Sequence, residues 1–299
     1  RERLNVRWEW LVEVVGLEAT SAAQLFTARA RTVAAHFTVD TDTEPAIARI
    51  CYLTQGLPLG VELAAAAVHY YSCQTIADAI AQNLDLLATQ WRDAPPRHCS
   101  VRAVFDYSWQ LLAPHEQQVF LALSVFQASF SPTAALAVCR AEGIAPYATQ
   151  APNAPFTAML TSLVDKSLVQ RSQEGRYQLH SLLRQYAAEK LAQQPDRQAA
   201  VHRQHGRFYA AFLGQQTASI GGSRQQVILS LIEQEIDNVR AAWAWAVAYD
   251  PAQELLPMIE PLFEFYEVRA LIQEAAERFA QALTALQTRD AARPTATPT

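Results

Sequence analysis

The chain has 299 residues, of which 51% are hydrophobic, 18% charged and only 9 glycine; that is enough for two or three domains with their own cores, and too apolar for disorder. Its formal net charge of -5 gives no global electrostatic reason to expect a nucleic-acid backbone or an anionic membrane as partner. The four cysteines, Cys51, Cys73, Cys99 and Cys139, form no C-x-x-C pair, which argues against a zinc ribbon or a disulfide framework and for a reducing cytoplasm.

No apolar run approaches the ~18 residues of a membrane span, and Arg1-Glu2-Arg3-Leu4 lacks the apolar core of a signal peptide. A cytoplasmic protein is expected. With no initiating Met, the chain is also expected to be part of a longer one. Trp10 to Val15 reads as a short strand broken by Gly16, and a lone strand needs sheet neighbours, which residues before Arg1 would supply. From Ser21 an amphipathic helix follows, with Ala22, Leu25, Phe26, Ala30 and Val33 at helical spacing.

Residues 44 to 90 read as three helical segments, separated by Gly56-Leu57-Pro58 and by Ser72-Cys73-Gln74. Pro58 sits at a first helical turn, where its missing N–H costs nothing. Asp93-Ala94-Pro95-Pro96 then makes a stiff linker and a candidate hinge. Beyond it come helices at Val101–Leu112, Pro114–Phe126, Ser131–Ala141 and Ala154–Lys166. A hairpin pairing Leu168-Val169-Gln170 with Tyr177-Gln178-Leu179 follows, and then a helix opening at His180-Ser181. That order is a winged helix. Past Asp196, two further segments keep helical spacing, one with Val201, His205, Tyr209 and Phe212, the other with Ile228, Ile232, Ile236, Val239, Trp243 and Ala246. They read as antiparallel helical pairs without a clean repeat, and the chain ends in a tail expected to lack structure.

The fold class expected is therefore mainly α: a helical lid domain plus a winged helix with a small β-hairpin, then tetratricopeptide-like helical pairs. Residues 1–16 would be a remnant of an NTPase sheet, 17–92 the lid, 100–194 the winged helix, 197–288 the helical pairs and 289–299 the tail. The helix starts after Gly56 and Leu179 expose N–H groups and partial positive charge, which favours a bound anion. A P-loop, however, needs a Gly-rich turn ending in Lys-Ser/Thr. The two lysines, Lys166 and Lys190, follow no glycine loop, so this chain by itself is not expected to be an enzyme.

Gly56-Leu57-Pro58-Leu59, Ser108-Trp109-Gln110-Leu111-Leu112, Leu163-Val164-Asp165-Lys166-Ser167 and Leu179-His180-Ser181, in this order, resemble the STAND signal-transduction ATPases, relatives of the NB-ARC domain. The match spans most of the chain. The resemblance implies that Arg1-Glu2-Arg3-Leu4 continues the sensor strand with Arg1 as the phosphate-sensing arginine, that Gly56-Leu57-Pro58-Leu59 is the GLPL motif with Pro58 packing by an adenine, and that His180 reaches the phosphates of ADP. Ser181 stands where the family has an aspartate. ADP or ATP would bind only together with the absent P-loop part, and the isolated chain would carry no cofactor. Expected partners are a protein or small-molecule signal on the helical region, with self-oligomerisation on activation. No membrane is expected as a partner.

Several blander readings compete with these. His202 and His205 stand i, i+3 without a carboxylate or cysteine to complete a metal set. Trp109, Trp243 and Trp245 lack the basic interleaving of a base-stacking platform. A winged helix often reads DNA with its third helix and wing, yet here that helix offers Thr157, Thr161 and Ser162, and the wing only Arg171 and Arg176. Direct DNA binding is not expected. A winged-helix DNA-binding regulator and a nucleotide-free interaction scaffold stand as the alternatives.

Overall fold

A computed structural model of the chain describes residues 16–88, 100–140, 154–216, 224–249 and 251–292. Arg1, the strand expected at Trp10–Val15 and the Asp93–Pro96 hinge lie outside them. The described residues are mainly α-helical, with a single small hairpin.

Two compact units divide the chain, and neither is one continuous stretch. The first comprises residues 1–121, 159–170 and 179–193; the second 122–158, 171–178 and 194–299.

In the first unit, α1 (Ala19–Val33) buries Ala22, Phe26 and Ala30, an i, i+4, i+8 row that lies on one helical face. That face packs on α3 (Pro58–Ala66), while α2 (Thr43–Leu53) packs on α4 (Cys73–Gln82). Ser72 caps α4 by accepting from Thr75 N–H, as the turn sequence anticipates. Next come α5 (Val101–Gln110), capped by Ser100, and α6 (Pro114–Leu123). α7 (Pro132–Cys139), which belongs to the second unit, starts with Ser131 as cap and Pro132 in the first turn. α8 (Ala154–Asp165) ends where Ser167 turns left-handed, φ 56°.

The hairpin is shorter than expected, with β1 at Gln170–Arg171 and β2 at Tyr177–Gln178. Leu168 and Val169 are not in it, because both N–H groups are spent on the Leu163 carbonyl in closing α8. Gly175, φ 78°, makes the turn. α9 (Ser181–Ala192) returns to the first unit, where Tyr186 packs edge-on against Phe105 and Trp109 of α5 and donates to Asp106 at 2.6 Å.

The second unit is dominated by α10 (Pro195–Gly214), α11 (Gln225–Tyr249), α12 (Pro251–Val268) and α13 (Ile272–Ala292), with consecutive helices packed on each other. α10 also packs on α12 and on α7. α13 runs on through residues 289–292, where the sequence reading placed the start of a tail; its Ala-rich end is a good helix former. No described helix is long and apolar enough to cross a membrane.

Candidate functional site

Two backbone stretches cross closely at a pair of glycines, Gly16 and Gly56. Gln55 and Gly56 both have positive φ, 47° and 65°, and Leu17 N–H donates to the Gly56 carbonyl at 2.9 Å. A Cβ on Gly56 would lie 2.1 Å from the Leu17 carbonyl oxygen, and one on Gly16 would lie 2.0 Å from that of Gln55. The glycine of the Gly-Leu-Pro-Leu segment is thus demanded by backbone contact alone. Gly16, which sequence reasoning read only as a strand breaker, is needed just as much.

The turn delivers Leu57 in extended conformation and Pro58 as the first residue of α3, with no side-chain cap. Pro58 is exposed and Gly56 buried. Gly60, one turn on, faces the Thr54 methyl and Leu182 of α9.

That contact belongs to a seam between the two predicted segments, more than a hundred residues apart in sequence. Ser181 N–H donates to Gln55 Oε1 at 3.1 Å, and Ser181 Oγ donates to the Leu53 carbonyl at 2.9 Å. Ser181, standing where an aspartate was expected, therefore makes a polar tie to the end of α2 rather than capping its own helix. The cap falls to His180, whose Nδ1 accepts from Leu182 N–H at 3.2 Å.

Two corrections follow for the anion-binding expectation at α9. The Ser181 and Leu182 amides are already bonded, to Gln55 and to the His180 ring, so they form no open cradle. In the neutral ring, moreover, an accepting Nδ1 puts the proton on Nε2, which becomes the group His180 can offer to an acceptor. Burial pushes its pKa down to about 4, so the neutral form prevails at neutral pH. Arg184, one turn along on the same helical side, is half-buried, and burial holds its pKa below the usual arginine value while the charge of Tyr52 acts the other way. Its i, i+4 spacing from His180 was the signal available in the sequence. Gly56, Pro58 and His180 are thus gathered within one unit, and Arg1 lies outside the described residues.

The other candidates sit in packing roles. His205 is 1% exposed among Phe126 and Tyr209, and His202 stacks on Trp245. Among the described residues no group of three His, Cys, Asp or Glu could hold a metal. In residues 100–194, Lys166 Nζ lies 2.6 Å from the buried Glu116, which also accepts from Ser162. Arg176 is likewise turned inward, onto Glu235 at 2.6 Å.

Among known proteins, no family profile matches the chain. It is 32% identical over 283 residues to Rv0890c of Mycobacterium tuberculosis, provisionally named an HTH-type transcriptional regulator, which covers 93% of this chain and 31% of that protein. Mb0914c of Mycobacterium bovis, with the same provisional name, gives the same figures. Rv0894 of Mycobacterium tuberculosis, an uncharacterized protein, is 31% identical over 198 residues, 65% of this chain and 48% of its own. The chain thus spans less than a third of the length of the first two relatives. Among solved structures it is similar to a STAND protein with a tetratricopeptide repeat sensor from Pyrococcus horikoshii. There the TM-score is 0.31 and the identity 17%, over 93% of this chain and 35% of that one.

Proposed function

We propose that this chain is the C-terminal regulatory part of a STAND-type switch, gated by ADP and ATP and completed by a P-loop module outside the chain. The observation that carries this reading is the seam itself. Gln55, at the entry to the Pro58 helix, bonds Ser181 across 126 positions of sequence, so the two segments with the resemblance meet at one place. Pro58 would pack by the adenine and His180 would offer Nε2–H to a phosphate oxygen. Nucleotide exchange would be coupled to a signal received on α10–α13.

The provisional naming of the relatives as HTH-type regulators supports a role in transcriptional control for the whole protein. Within this chain, the inward-facing Lys166 and Arg176 favour a structural use of the winged helix over direct contact with DNA. A gel shift at low salt separates the two, since backbone contacts are strongest there.

Calorimetry with ADP tests the main reading, on this chain and on a form extended upstream through a P-loop, each with His180→Ala. Binding by the extended form alone, weakened by the substitution, is the expected outcome. Binding by neither form would leave an interaction scaffold as the better account.

A further inference from the structure

One of the two basic residues of the wing, Arg176, has a built-in partner. The Arg176 side chain is 12% exposed and that of Glu235 10%. Besides its 2.6 Å contact with Glu235 Oε1, the guanidinium donates through Nε to Ser129 Oγ at 2.9 Å and through Nη2 to the Ser129 carbonyl at 2.7 Å. The other carboxylate oxygen of Glu235 accepts from Tyr209 of α10 at 2.8 Å and from Asn238 at 3.3 Å.

Asn238, fully buried, completes the circuit. Its Nδ2 donates to the Ser129 carbonyl, while its Oδ1 accepts from the N–H groups of Gln127 and Ala128. Phe130 and Tyr177 add a pair of backbone hydrogen bonds, 2.8 and 2.9 Å, that join the loop before α7 to β2. All of these residues belong to the second unit.

A buried ion pair contributes little net stability, because desolvation consumes the Coulomb gain, but losing one partner strands a charge and is costly. A fully satisfied network of this kind rigidifies its surroundings and specifies one arrangement. We infer that the wing is an intramolecular docking element: its partner is the helical array, through the Arg176–Glu235 pair, with Tyr209 holding the carboxylate and Asn238 holding both the carboxylate and the 127–129 loop, and loss of that network frees the hairpin while the helices stay folded. This does not depend on the nucleotide reading.

Hydrogen exchange at single-residue resolution tests it. Glu235→Gln keeps the shape but removes the charge opposite Arg176, and Asn238→Ser is a second, independent cut. Both are expected to speed exchange of the Ser172, Tyr177 and Phe130 amides at least tenfold, with amides of α12 and α13, in the same unit, unchanged. Wild-type exchange in the hairpin of both variants would overturn the inference. So would acceleration only in step with α12 and α13, which is the mark of unfolding of the whole unit.

Discussion

Gly56 and Gly175 share a left-handed backbone but differ in what surrounds them. Nothing lies within 4 Å of a Cβ added at Gly175, whereas one added at Gly56 meets the Leu17 backbone at 2.1 Å. Gly175→Ala should therefore cost only the left-handed penalty, about 1–2 kcal/mol, and Gly56→Ala distinctly more, as read by urea denaturation. His205 supplies a pH prediction. Burial pushes its pKa from 6.5 down to about 3, so between those values the unfolded chain binds a proton that the folded chain refuses. Stability from this group is complete above pH 6.5 and is lost as pH falls toward 3. His205→Leu should flatten the acid limb of a plot of unfolding free energy against pH, and an unchanged limb would remove the histidine from the account. The Gly-Leu-Pro-Leu segment was legible in the sequence because it is local. The need for Gly16 was not, because it arises only where two distant backbone stretches touch.

Glu116 joins two elements through one carboxylate. Oε2 accepts from Ala113 N–H at the start of α6 and from Lys166 after α8, and Oε1 accepts from Ser162. Burial alone would raise its pKa, yet the bonds from Lys166 and Ser162 hold it below the usual carboxylate value. Glu116→Ala should lower stability by about 2–4 kcal/mol, since it strands Lys166 and uncaps α6. Chemical denaturation checks the figure, and a loss within 0.5 kcal/mol would mark the pair as incidental. Helices of this length were readable from apolar spacing and from breaks such as Gly56-Leu57-Pro58 and Ser72-Cys73-Gln74; the caps Ser72, Ser100 and Ser131 appear in the structure. In α11 that spacing picked Ile236, which is half-buried, and passed over Glu235 and Asn238, which are buried. A hydrophobic period cannot flag a polar residue whose partner lies in the wing.

For the molecule as a whole, the two units make separate demands on stability. Glu116→Ala, confined to the first, should accelerate amide exchange in α5 and α9 more than in α10 and α11, as mass spectrometry of peptides from the two units would show; equal acceleration would mean one cooperative block. The helical class and the order of segments were legible because each rests on local pattern. The division into units was not, because it follows tertiary contacts and cuts residues 100–194, which the sequence pattern reads as one piece. The first unit takes back residues 159–170 and 179–193 after the second has begun, so the chain passes from one to the other five times. No single cut in the gene can therefore yield either unit whole: a product ending at residue 121 would lack α9 and with it the Ser181 tie to Leu53. Exchange of parts between relatives faces the same rule, since recombination at one point would bring in half of each core, and only a swap of the entire interleaved span would carry a working unit across.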